Sequence, residues 1–183
     1  MGPGTGVAPY VGFLEHREAL KAFRSASTDS TIRGLWRKGV QFEAGDLLID
    51  SIQCSSDILG TEMGDILLFF GCRNEKDFLY KERLLHFKES GVLTELFVAM
   101  SRTQADKIYV THKIREHGGR LVDLILNQGA FIFVCGDGNN MAKDVQVAFK
   151  TILMEEGHKS DLEAEEILRM LKNENRYVLD VWS

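Results

Sequence analysis

The sequence predicts an α/β fold, a Rossmann-like parallel sheet with helices on both faces and a truncated first strand. Three observations carry this. Short apolar runs alternate with helix-patterned segments along most of the chain, which is the order that builds a parallel sheet covered on both faces. Phe131 to Val145, FIFVCGDGNNMAKDV, reads as strand, polar glycine turn and helix, and turns of this kind form the crevice outside the carboxyl ends of parallel strands where ligands sit. The opening Gly2-Pro3-Gly4-Thr5-Gly6-Val7-Ala8-Pro9 runs into an amphipathic segment from about Val11 to Phe23; glycines before a helix let backbone N–H groups approach a phosphate.

Taken in order, the first element is that loop. It is G-x-G-x-G rather than the fuller G-x-G-x-x-G, so a plain flexible loop remains open as a reading of these residues alone. Such loops follow a strand, and here the sequence starts on the loop. In a sheet whose first strand lies in the middle, the expectation is two half-sheets facing a gap. Arg24 to Gly64 lacks periodicity and is read as an insertion or disordered excursion, being long for a connection inside a compact domain. Its basic and aromatic residues, Arg33, Trp36, Arg37 and Lys38, read as a solvated loop.

Ile66 to Phe70 is a continuous apolar run ending at Gly71-Cys72-Arg73, expected as a strand buried on both faces. Phe78 to Glu89 reads as a helix capped by Gly91, and Leu96 to Met100 as a strand ending at Ser101-Arg102. Helical patterns follow at Val110 to Glu116 and Arg120 to Leu126, then a strand from Phe131 to Val134 with Cys135 at its last position, and a helix from Met141 to Glu155. Asp161 is expected to cap a further helix, and Tyr177 to Trp182 alternates as a closing strand does.

A chain of 183 residues with 44% hydrophobic and 27% charged residues belongs with globular domains, and one full core is what that length supports. Its net charge of -5 offers no basic footprint for nucleic acid. The sequence carries neither a signal-peptide pattern nor a spanning apolar run, so a cytoplasmic location is expected. Cys54, Cys72 and Cys135 form no C-x-x-C pair, and His16, His86, His112, His117 and His158 show no metal-ligand spacing, so no metal site is expected.

Ser101-Arg102 at a strand end, with Lys107 and Tyr109 shortly after, combines a hydroxyl, a guanidinium, an ammonium and an aromatic face. A ribose 2'-phosphate beside an adenine requires that set, and a basic residue there favours NADP over NAD. A solvated charged turn is the alternative reading of the same residues. Cys135 likewise reads as a plain buried cysteine, the usual fate of that residue type.

The motifs Gly2 to Pro9, Phe70-Gly71-Cys72-Arg73, Ser101-Arg102, Lys107-x-Tyr109-Val110, Val134-Cys135-Gly136-Asp137, Asn140 to Val145 and Asp180-Val181-Trp182-Ser183 occur in that order. Together they resemble the NADPH-binding module of the diflavin reductases, a family related to ferredoxin-NADP reductase, across nearly all the chain except about 24–64. Met141 to Val145 and His117-Gly118 are most similar to the methionine synthase reductase branch, and the ending Leu179 to Ser183 is equally similar to the NADPH-cytochrome reductase branch.

The resemblance implies that Gly4, Thr5 and Gly6 hold the pyrophosphate. It implies that Ser101, Arg102, Lys107 and Tyr109 hold the 2'-phosphate and adenosine, with Arg73 and Asp144 lining the groove and Asp137 beside it. Thr111 stands where relatives often carry a glutamine. Trp182 would stack on the isoalloxazine of FAD and yield to nicotinamide, while Cys135 and Asp180 would flank the hydride path. The implied enzyme takes hydride from NADPH to FAD and passes electrons through FMN to a protein acceptor, such as methionine synthase or a haem monooxygenase. Family members carry FAD and FMN domains ahead of this module, so the 183-residue chain alone is expected to be inactive and to hold no flavin. Two other readings stay open: a non-catalytic NADP-binding module, and a doubly wound protein whose glycine loops are structural.

Overall fold

The computed structural model describes residues 5–27, 63–104 and 106–182. A 3-10 turn at Thr5–Val7 leads into α1 (Ala8–Ser27). After it come β1 (Leu67–Cys72), a 3-10 turn at Glu75–Asp77, α2 (Lys81–Glu89) and β2 (Glu95–Met100). The second half holds α3 (Val110–Glu116), α4 (Gly118–Leu126), β3 (Ile132–Asp137), α5 (Met141–Glu155), α6 (Asp161–Asn173) and β4 (Tyr177–Trp182).

The strands form two parallel pairs, β1 with β2 and β3 with β4. Among the described residues the strands thus make two half-sheets, the arrangement expected from the sequence. Side chains alternate across β1. Leu68, Phe70 and Cys72 join Val7, Val11, Leu14, Leu84 and Phe87 in one core. Leu67 and Phe69 pack instead against the other core, which is built from α3 to α6 with Val134 and Tyr177. Helices therefore cover both faces, and β1 is a strand with one fully buried face rather than two: its odd-numbered residues are only half-buried.

Several boundaries differ from expectation for local reasons. The helix expected from Phe78 begins at Lys81, because Asn74 accepts from the Lys76 N–H to close a 3-10 turn and Tyr80 adopts a left-handed φ of 56°. Phe78 turns inward instead and packs against Phe70, with ring centroids 5.2 Å apart. β3 runs on to Asp137, so Cys135 is not its last residue, and Phe131 lies outside it and exposed. Ser160, not Asp161, caps α6: its hydroxyl accepts from the Glu163 N–H while its own N–H donates to Glu163 Oε2 at 2.8 Å. α1 continues through Ser27, which shortens the excursion expected at 24–64; residues 28–62 lie outside the described residues. Gly91 takes a φ of 67° after α2, the left-handed helix stop read from the sequence.

The free edge of β3 has a partner of another kind. Ile132 N–H donates to Arg176 C=O and Gly138 N–H to Trp182 C=O, so the even-numbered residues face β4. Phe133 and Cys135 then point their backbone groups to the opposite edge, since parallel ladders alternate. There the Tyr10 hydroxyl donates to Phe133 C=O at 2.8 Å. The Cys135 backbone also hydrogen-bonds to the Tyr10 oxygen, and burial pushes that phenol far above its ordinary range. A single side chain of α1 thus stands in for part of a neighbouring strand.

Candidate nucleotide site

Within each pair the parallel strands bring their carboxyl ends together, and several of the residues singled out from the sequence lie at those ends. At the end of β1 the Arg73 guanidinium is held by Asp77, Nε to Oδ2 at 2.8 Å, and Arg73 C=O accepts from the Arg102 N–H at 2.8 Å. Ser101 follows β2, its N–H 3.0 Å from Cys72 C=O. Arg102, Lys107 and Tyr109 are exposed, and neither cation forms a salt bridge with another described residue. Tyr109 is the extended residue before α3, and Thr111 sits half-buried in the first turn of that helix. A Cβ added to Gly71 would stand 3.1 Å from Val110 Cγ1, so the start of α3 rests closely on the end of β1.

The other pair of carboxyl ends is that of β3 and β4. Cys135 and Asp180 are register partners, and the thiol donates to the carboxylate with Sγ 3.6 Å from Oδ2. Burial, reinforced by Asp180, pushes the Cys135 pKa up, which keeps the sulfur protonated. Asp137 pairs in register with the half-buried Trp182, and its Oδ1 accepts from the Asn139 N–H at 2.8 Å, closing the polar turn. Gly136 within this strand end has a φ of 146°, a backbone region where a side chain would strain. Asp144 stands exposed in the first turn of α5.

The glycine loop reaches the end of β3. A Cβ on Gly6 would stand 2.4 Å from the Cys135 carbonyl oxygen, so only glycine lets the Thr5–Val7 turn lie against the end of β3. Gly4 and the side chain of Thr5 lie outside what is described. The structure thus joins Cys135 to Asp180, Asp137 to Trp182, Gly6 to Cys135, and Arg73 to Ser101-Arg102. Sequence reading passed over Asp77, Tyr10 and His112. The first stands four residues after Arg73, and the last at the third helical position after Tyr109, spacings that carry a usable signal.

These groups fit a dinucleotide bearing a 2'-phosphate: Arg102 and Lys107, in no salt bridge with another described residue, a Ser101 hydroxyl 3.5 Å from Cys72 C=O, an exposed aromatic ring and a turn that tolerates no Cβ. Two parallel strand pairs covered by helices, with polar turns at their carboxyl ends, are consistent with a Rossmann-like nucleotide-binding domain. Residues 1–147 match the family described as oxidoreductase NAD-binding domain, and the chain belongs to that family.

Over its whole length the chain is 38% identical to NADPH-cytochrome P450 reductase of Mus musculus and 37% to that of Homo sapiens. It is 36% identical to methionine synthase reductase of Rattus norvegicus. The chain spans about 22% of the length of each of these relatives. It is an oxidoreductase NAD-binding domain, similar over its whole length to part of these reductases. Among the described residues, no helix is long and apolar enough to cross a membrane.

Proposed function

We propose that residues 1–183 form the NADPH-holding module of a reductase that takes hydride to FAD and passes electrons through FMN to a protein acceptor. The observation that supports this is the exposure of Arg102 and Lys107, neither in a salt bridge with another described residue, in the segment after β2 that leads to exposed Tyr109, together with the Cys135–Asp180 contact on β3 and β4. Bound NADPH supplies the hydride. The chain's own residues do the rest: Arg102, Lys107 and Ser101 bind the 2'-phosphate through charge-assisted bonds, Tyr109 covers the adenine, and Gly6 with its turn leaves backbone room for the pyrophosphate. Asp180, beside the end of the β3–β4 pair, favours positive charge developing next to it, and Cys135 holds a proton at Sγ toward its carboxylate. Trp182 would stack on the isoalloxazine of FAD and yield to the nicotinamide.

Resemblance of Met141 to Val145 and of His117-Gly118 supports methionine synthase as acceptor in the cytoplasm, through reductive reactivation of its cobalamin. A second reading, electron supply to haem monooxygenases, is favoured by the 38% identity to cytochrome P450 reductases. Assaying a flavin-loaded protein that carries this module against both acceptors separates them.

The nucleotide reading is tested by calorimetric titration of the chain with 2',5'-ADP and with 5'-AMP. Selective binding of the bisphosphate is expected. Arg102→Ala should lose about 1.5–3 kcal/mol toward the bisphosphate and little toward 5'-AMP; equal losses for both nucleotides would refute the assignment.

A further inference from the structure

We infer that His112 is a positioning residue that holds Tyr109 in place for an adenine ring, an inference that rests on the NADP-binding reading. Two hydrogen bonds join the residues reciprocally, one from backbone to side chain and one between backbones. The Tyr109 N–H donates to His112 Nδ1 at 3.0 Å, and the His112 N–H donates to Tyr109 C=O at 3.0 Å. The rings lie close to parallel, with centroids 5.9 Å apart and 29° between their planes. Tyr109 still keeps 49% of its surface exposed.

Each contact has a physical consequence. At the third position of a helix, glutamate or glutamine ordinarily reaches back to the capping residue's N–H; histidine provides the same acceptor and adds a flat ring. An acceptor Nδ1 places the proton of the neutral imidazole on Nε2. The clamp fixes the backbone of Tyr109 at φ -114° and ψ 167°, and the imidazole backs one side of the phenol. The remaining exposed surface of that ring is then presented in one orientation, so less ordering is left to occur when a base stacks on it.

Three variants separate the parts of this argument. His112→Ala removes acceptor and ring, His112→Gln keeps an acceptor, and His112→Phe keeps a ring without one. The test is titration of each full 183-residue chain with 2',5'-ADP, together with amide hydrogen exchange at Tyr109 followed by NMR. Expected are binding weakened roughly three- to tenfold in His112→Ala, faster Tyr109 exchange in the Ala and Phe variants, and recovery of Tyr109 protection with partial recovery of affinity in His112→Gln.

Wild-type affinity in His112→Ala overturns the inference while leaving the nucleotide reading standing. Equal weakening in all three variants with Tyr109 protection unchanged also overturns it, since His112 would then act without Tyr109. If the unaltered chain does not distinguish 2',5'-ADP from 5'-AMP, the nucleotide reading fails. A loss of Tyr109 protection in His112→Ala would then leave a helix cap only, and the positioning role falls with it.

Discussion

The Cys135 thiol and the Asp180 carboxylate face each other across the β3–β4 ladder as register partners, with Sγ 3.6 Å from Oδ2. Burial is the larger cause of the raised thiol pKa and the carboxylate the next. Asp180→Asn should therefore lower the Cys135 pKa part of the way and speed its alkylation by iodoacetamide between about pH 8 and 9, where thiols begin to ionise. Peptide mapping by mass spectrometry reads Cys135 separately from buried Cys72. Unchanged or slower alkylation of Cys135 would show that the pair does not interact as its geometry indicates.

Gly6→Ala places a methyl 2.4 Å from the Cys135 carbonyl oxygen. The obstacle is backbone, so the Thr5–Val7 turn must move away from β3. A stability loss of about 1–3 kcal/mol, the usual cost of overpacking, is expected in urea unfolding. A fully stable variant would mean that the loop does not rest on the strand end.

Tyr177 at the start of β4 is buried among Phe149 and its neighbours, and its hydroxyl has no hydrogen-bond partner among the described residues. Burial pushes its pKa up to about 12. A raised folded-state pKa means that the native state retains the proton longer than the unfolded chain does. The associated stability is complete below pH 10 and is lost as pH rises toward about 12, at up to about 1.4 kcal/mol per pH unit. Tyr177→Phe should remove this component and relieve an unsatisfied buried hydroxyl, worth about 1–3 kcal/mol. Denaturant unfolding of both proteins at pH 8 and pH 11 checks it: the gap between them should widen at the higher pH.

Ser160 and Glu163 cap α6 reciprocally, with Ser160 N–H donating to Glu163 Oε2 at 2.8 Å. Ser160→Ala should cost about 1 kcal/mol. Asp161 forms a salt bridge to Lys150 at 2.7 Å on an exposed surface, so Asp161→Ala should cost less. Thermal unfolding of the two variants ranks them, and the reverse order would restore Asp161 as the cap.

The sequence by itself determined the element types and their parallel order. Apolar runs such as Phe131 to Cys135 and helical spacing such as Met141 to Glu155 are local patterns written in consecutive residues. Glycine at a left-handed stop, as at Gly91, is equally local. The boundaries that moved depended on local competition that pattern alone does not rank: Asn74 and Tyr80 deny α2 its first turn, and Ser160 outcompetes Asp161.

Tertiary structure alone decided which residues meet. Cys135 and Asp180 are 45 positions apart, and only the register of β3 on β4 puts them side by side. The Tyr10 hydroxyl finds Phe133 C=O across 123 positions because an open β3 edge leaves backbone groups that need a partner. Pairing across such separations depends on strand register and on unsatisfied polar groups in the folded chain, and neither is encoded in any short window of sequence.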